Sequence, residues 1–345
     1  MQVITIGIDL AKHVFQVHGV DANDKVVFNK PLRRSQVLPF FAKLAPCLIG
    51  MEACASAHYW ARELKKLGHD VRLMPAKDVK AYVKRNKNDS VDAAACCEAV
   101  RRPTVRTVPV KTPEQQAQLM QHRVRNLLVR QRTQAINALR SHLAELGIVG
   151  AQGYDGLKVL LSIIADSSDA RLPENARACL SAIVEQIASC QAEIGTIEKR
   201  LLAQHRKNAD SKRLETIPGI GVLGASAIVA TVPDASVFKT GRDFAAWLGI
   251  VSREDSTGGK QRLGPISKQG DRYLRRILVL GAFAVIKRAR AHPEKYPWLT
   301  QLLARKPAKV AAVALANKIA RIAWAVLTKK EIYRVSPITA TSVGD

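Results

Sequence analysis

Residues 112–147, TPEQQAQLMQHRVRNLLVRQRTQAINALRSHLAELG, carry apolar side chains at three- and four-residue steps. Leu119, Val124, Leu127, Leu128, Ile136, Leu139, Leu143 and Leu146 make the stripe. That period belongs to one face of an α-helix and to no strand. Pro113 falls in the first turn, where a missing N–H is harmless, and Gly147 supplies a stop. A second long helical stretch, ENARACLSAIVEQIASCQAEIGTIEKRLLAQH, follows a shorter linker helix. Two long helices joined in this way predict an antiparallel coiled-coil arm over 112–207. Arg123, Arg125, Arg130, Arg132 and Arg140 occupy much of the remaining surface of the first helix. Such a stripe suits nucleic-acid phosphates, and it equally suits a solvated face on a spacer or dimer handle.

Before the arm the pattern alternates. VITIGID, HVFQVHGV and KVVFNKPL are β-branched and apolar, with turn residues DAND between the second and third. They predict three strands in an antiparallel meander. SQVLPFFAKLA suits a helix, CLIGME a buried strand, SAHYWARELKKLG an amphipathic helix ending at Gly68, and HDVRLMP a further strand. The expected fold over 1–111 is a mixed α/β sheet with crossover helices. After the arm, LETIPGIGVLGASAIVATV reads as a helix-hairpin-helix. Its Gly219 and Gly221 let backbone amides approach a phosphate, unless the motif is only a tight helix turn. DFAAWLGI predicts a short helix, and VSREDSTGGKQRLGPISKQG a loop or hairpin. DRYLRRILVLGAFAVIKRAR and KVAAVALANKIARIAWAVLTKK complete a mostly helical domain over 208–335, before a flexible tail over 336–345.

Charge narrows the partner. Lys and Arg number 54 against 29 Asp and Glu, a net charge of +25. The excess predicts a polyanion, with nucleic acid first. A membrane surface is disfavoured, because no apolar run reaches spanning length and MQVITIGIDLAK lacks a basic stretch ahead of an apolar one. Cys47, Cys54, Cys96, Cys97, Cys179 and Cys190 lack CxxC spacing and read as reduced thiols of a cytoplasmic protein.

Four acids stand out against this basic background. Asp9 closes the first expected strand, and Glu52 closes CLIGME. Asp89 and Asp92 open a helix one turn apart, so their carboxylates share a face. Four carboxylates converging on one point need a counter-charge. A hard divalent cation with oxygen ligands, Mg²⁺ above all, supplies it, and a two-metal site clamps both oxygens of a phosphodiester displacement. Each acid also has an ordinary use. Asp9 can cap the turn into LAKHVF, and Asp89 can be a helix N-cap. Glu52 is hardest to assign this way, since a carboxylate ending a buried apolar strand is costly unless used.

GIDLAK after the first strand, GMEA on a later one and NKNDSVDA before a helix resemble the DEDD transposases of insertion sequences. This is the IS one-ten group with its IS eleven-eleven branch, RNA-guided recombinases. IPGIGVLGASAIVATV, FAAWLGIV, STGGKQRLGPISKQGDRYLRR and ALANKIARIAWAVL extend the resemblance in order over nearly the whole chain. It implies a RuvC-like (RNase H-like) catalytic domain over 1–111, with Asp9, Glu52, Asp89 and Asp92 as catalytic Mg²⁺ ligands. It also implies a serine nucleophile in EDSTGG that forms a phosphoserine link to DNA. Counting back from Ser267 and Lys268 gives Ser256; counting forward from Leu248 and Gly249 gives Thr257. Ser256 is the choice made. Around it Arg253, Lys260, Arg262, Lys268 and Arg272, with Lys84, Arg85 and Lys87 of KAYVKRNK, are candidate nucleic-acid contacts. A noncoding guide RNA, donor and target double-stranded DNA, and a tetramer built as a dimer of dimers in the bacterial cytoplasm at the nucleoid are further implications. Long separation of Ser256 from Asp9 suggests a serine donated by another subunit. A structure-selective nuclease of resolvase type, using the acids and water alone, is the second reading. A non-enzymatic nucleic-acid binder whose acids are caps is the third. The sequence shows no zinc finger, homeodomain pattern or evident DNA-reading helix, which suits target choice by base pairing.

Overall fold

Five strands, β1 (Thr5–Asp9), β2 (Val14–Val20), β3 (Val26–Arg33), β4 (Leu48–Glu52) and β5 (Asp70–Met74), form one sheet in the order β3-β2-β1-β4-β5. The computed structural model describes residues 2–84, 88–260 and 262–334. They divide into two compact units, Met1–Pro113 and Glu114–Asp345. In the first, β1–β2 and β2–β3 are antiparallel, as the DAND turn predicts, with Asp21 accepting the N–H groups of Asn23 and Lys25. The β1–β4 and β4–β5 pairs are parallel and need crossovers. These run through α1 (Val37–Phe41) and α2 (Ala57–Lys66), and β5 is followed by α3 (Ala76–Lys80) and α4 (Asp89–Val100). The helix expected over SQVLPFFAKLA shortens to a 3-10 turn and the five residues of α1.

Side chains alternate along a strand, so each central strand feeds two layers. Ile6 and Ile8 of β1, with Ile49 and Met51 of β4, bury in one core with Phe15, Phe41 and Trp60. Gly7 and Gly50 point the other way, toward α4. They are direct partners in the parallel register. A methyl group at Gly7 would fall 2.0 Å from the Ala93 carbonyl oxygen; one at Gly50 would fall 2.7 Å from that of Cys96. Two glycines side by side therefore make a seat in which the backbone of α4 rests directly on the sheet. Overpacking such a contact costs about 1–3 kcal/mol. Gly7→Ala is expected to lower the free energy of unfolding by that amount, read by circular dichroism as a lower urea midpoint at unchanged slope.

The second unit opens with α5 (Pro113–Glu145), followed by α6 (Tyr154–Ala165) and α7 (Glu174–Lys207). Arg125 bonds Glu198 and Arg132 bonds Gln191, so α5 and α7 run antiparallel. Toward the α6 end they pack through Leu139, Leu143, Leu160, Leu180 and Ile187. Then come α8 (Ala209–Glu215), α9 (Val222–Thr231), α10 (Gly241–Trp247), a hairpin of β6 (Ser252–Glu254) and β7 (Leu263–Ile266), α11 (Arg272–Ala291), α12 (Pro297–Arg305) and α13 (Ala308–Lys329). The sequence reading has no counterpart for α12, a short helix that starts on Pro297 and buries Leu299. It also held that no apolar run reaches spanning length, and α13 overturns this, being long and apolar enough by length and composition. Its Ala311, Ala312, Ala316, Ile319, Ala320 and Ala323 instead fill the core of the unit. The expected tail from Ser336 lies outside the described residues.

Candidate active site and nucleic-acid contacts

Ile8 pairs with Met51, so Asp9 and Glu52 are the next residues on adjacent parallel strands. Each lies two residues beyond a seat glycine and shares its face, the face that carries α4. Helix α4 runs against β1 in the opposite sense. Cys97 Sγ donates to the Thr5 carbonyl at 3.7 Å, whereas Gly7 already meets Ala93. Continuing along β1 to Asp9 leads back along α4 toward Asp92 and Asp89. Asp9, Glu52 and Asp92 are half-buried, and Asp89 is exposed. Asn88, rather than Asp89, caps this helix, its side chain accepting the Val91 N–H at 2.9 Å. A polar chain fixes the first turn. Gln16, the partner of Asp9 on β2, donates to Asn29 at 2.6 Å, and Asn29 donates to Ser90 at 2.5 Å.

The electrostatics mark the same spot. Burial pushes the Cys96 thiol up, and the negative charges of Glu52, Asp9 and Asp92 push it further. The exposed Cys54 thiol is also raised, by burial of the sulfur and then by Glu52 and Asp9. Three carboxylates thus project one negative potential onto one place. Among the described residues, however, no three His, Cys, Asp or Glu side chains stand close enough to hold one ion. The acids share an edge without closing into a ligand shell. Their donor chemistry, oxygen only, fits a hard divalent cation.

Ser256 lies in the second unit, in the β6–β7 hairpin. Thr257 and Lys260 bridge across Gly258 (φ +59°) and Gly259 (φ +76°). Two successive positive φ values are the type I′ geometry of tight hairpins, and they explain the GG pair. The Ser256 hydroxyl donates to Glu254 Oε1 at 3.1 Å and accepts the Arg262 N–H at 3.1 Å. Both its hydrogen and one lone pair are therefore directed, on an exposed loop. Arg253, Lys260, Arg262, Lys268 and Arg272 are exposed around the hairpin and the start of α11, Arg253 also donating to the Ser267 carbonyl at 3.3 Å.

The other candidates separate. Arg123 and Arg130 are exposed on α5, whereas Arg125 and Arg132 are engaged with α7. Gly219 (φ +94°) faces α11 at Gly281, and a methyl group at Gly281 would fall 1.8 Å from the Gly219 carbonyl oxygen. That glycine meets a packing need inside the unit. Nothing lies within 4 Å of a Cβ built on Gly221, which caps α9. Lys84 is exposed; Arg85 and Lys87 lie outside the described residues. Sequence reasoning missed Glu254, which had no motif of its own. It also missed two buried histidines where the long helices meet the C-terminal helices. His122 lies between Tyr273 OH (3.1 Å) and Ser226 Oγ (3.2 Å), and burial with the nearby Arg125 holds its pKa down at about 4. His205 lies between Ser211 Oγ (2.7 Å) and Glu215 Oε2 (2.9 Å). Their only sequence signal was a histidine on a helix, which is no signal.

An acidic sheet edge on a chain of net charge +25 defines an α/β protein that handles nucleic acid. Comparison with known proteins narrows this. Residues 6–148 match a transposase family model of the IS110 DEDD type, and residues 211–297 match the transposase family IS116/IS110/IS902. The first span holds all four acids and the second holds Ser256. A probable family 20 transposase of Pseudomonas aeruginosa is 49% identical over 97% of this chain and 99% of its own length. The transposase for insertion sequence element IS1328 of Yersinia enterocolitica is 38% identical over 96% of this chain and 98% of its own. That for IS1111A of Coxiella burnetii is 37% identical over 95% and 91%. The chain belongs to the IS110 family of insertion-sequence transposases, enzymes that cut and rejoin DNA.

Proposed function

We propose that this transposase recombines donor and target DNA through Ser256 and the four acids, with the choice of target delegated to a noncoding guide RNA. The observation that carries the chemistry is the Ser256 hydroxyl, exposed on a hairpin and hydrogen-bonded to a carboxylate. In the reaction, Ser256 Oγ bonds to phosphorus while a phosphorus–oxygen bond to deoxyribose breaks. Glu254 Oε1 already accepts the hydroxyl hydrogen and is placed to take the proton as Oγ attacks. The departing sugar oxygen takes a proton from solvent and later returns, or is replaced by that of another strand, to release Ser256. Asp9, Glu52, Asp89 and Asp92 would hold Mg²⁺, which supplies Lewis-acid stabilisation of charge on the phosphate oxygens. Arg253, Lys260, Arg262, Lys268 and Arg272 would offset the phosphate charge that approaches the serine.

The long stretch of chain between Asp9 and Ser256 suits a centre shared between subunits of a dimer of dimers. The antiparallel pair α5–α7 supports a coiled-coil arm that reaches between them, and α8–α9 with the open Gly221 supports a helix-hairpin-helix on DNA phosphates. Arg123 and Arg130, exposed on the arm, suit a nucleic-acid backbone, and guide RNA itself rests on the resemblance. The resolvase-type reading would need only the acids and water. The test is the covalent adduct. Protein is incubated with donor and target DNA and Mg²⁺, denatured, and run on a gel. Peptide mapping is expected to place nucleotide on Ser256. Free cut ends with no adduct would instead support water as nucleophile, and an adduct on Thr257 would move the assignment by one residue.

A further inference from the structure

A groove of about 740 Å³ opens beside β2, β3, α1 and α2, walled by His13, Arg33, Arg34, Ser35, Tyr59 and Trp60. We propose that it binds an unpaired stretch of the DNA that the enzyme cuts, one base stacked on Tyr59 and its phosphates on Arg33 and Arg34. This rests on the reading of Asp9 and Glu52 as the place of cutting and goes beyond it, and its test measures binding rather than cutting.

Position is the first argument. Val14 pairs with Arg33 and Gln16 pairs with Asp9, so the groove lies at the same end of the sheet as the acid edge, on the side of α1 and α2. DNA opened for cutting at Asp9 and Glu52 has its unpaired strand within reach of that end. Chemistry is the second. Tyr59 is 42% exposed, and its ring is braced edge-on by Trp60 at 5.2 Å. A held aromatic face is a platform for an unstacked base, whereas a duplex keeps its base faces covered. Neither Arg33 nor Arg34 makes an ion pair with a carboxylate among the described residues. The Arg34 guanidinium lies 5.0 Å over the Trp60 ring, which holds this cation beside the groove.

The experiment uses the full chain and a fluorescent oligo-dT, which has no secondary structure, followed by anisotropy. Tyr59→Ala is expected to weaken oligo-dT binding about five- to a hundredfold and leave a blunt duplex within about twofold. Tyr59→Phe should bind as the parent does, since stacking needs only the ring. Arg33→Gln should flatten the slope of log affinity against log salt by about 0.7. Irradiation of a 5-iododeoxyuridine oligonucleotide on the unaltered protein should crosslink Tyr59 or Trp60, a readout independent of how well any variant folds. Unchanged oligo-dT affinity in Tyr59→Ala, or crosslinks elsewhere only, overturns the proposal. Equal weakening of the duplex overturns it too. Tighter binding of oligo-rU than oligo-dT, lost in Tyr59→Ala, would give the groove to RNA and likewise overturn it.

Discussion

Ser256→Ala is expected to abolish the covalent protein–DNA adduct and to lower strand exchange by roughly four orders of magnitude or more, the scale seen when a nucleophile is removed. DNA affinity should hold, because the exposed cations of the hairpin remain. The hydroxyl now donates to Glu254 and accepts from Arg262, so its loss removes one oxygen and leaves the β6–β7 ladder intact. Glu254→Gln separates positioning from proton transfer. The amide keeps a carbonyl that can accept the Ser256 hydrogen, yet it takes up no proton. Its rate should fall by less than that of Ser256→Ala and recover as pH rises, in the manner of a lost general base. Thr257→Val should form the adduct normally. Strand exchange that survives Ser256→Ala would end the serine reading; nicking that survives while joining is lost would leave a resolvase-like nuclease.

Asp9→Asn and Glu52→Gln should each lower DNA cutting roughly 10²- to 10³-fold or more, the range for removing one preorganised charge-stabilising group. A second readout does not depend on activity. Mg²⁺ that binds only the folded chain raises its melting temperature by mass action. The unaltered protein should therefore melt higher in Mg²⁺ than in chelator, and Asp9→Asn should melt alike in both. The sign follows from the field at Cys96, where Glu52, Asp9 and Asp92 all act in the same direction. A cation relieves that repulsion, and an amide removes part of the reason for it. An unaltered protein whose melting ignores Mg²⁺ would take the acids out of the metal role.

Much of the architecture was legible because its signals were local. Strand alternation in VITIGID and HVFQVHGV, the three-and-four step of α5, and the GG pair of the hairpin each fix an element by short-range sterics. The positions of Asp9 and Glu52 were legible for the same reason, as carboxylates ending apolar strands. Asp89 was read with a helix cap as its alternative, and Asn88 takes that cap, a choice one residue wide that propensity cannot resolve. Arg125 looked like Arg123 in sequence, and only the partner on α7 tells them apart. Gly219 was legible as a turn but not as the contact with Gly281, because that contact spans two distant segments. Glu254 was invisible, since a carboxylate two residues before a serine means nothing until a hairpin brings the two within 3.1 Å.

Half of the acid edge belongs to the sheet and half rides on α4, and only the glycine pair lets the two halves meet. The acid edge is therefore a joint between two elements rather than a pocket inside one. A wedge no larger than one methyl group at Gly7, two residues before Asp9, would press on the backbone of the helix that carries Asp89 and Asp92.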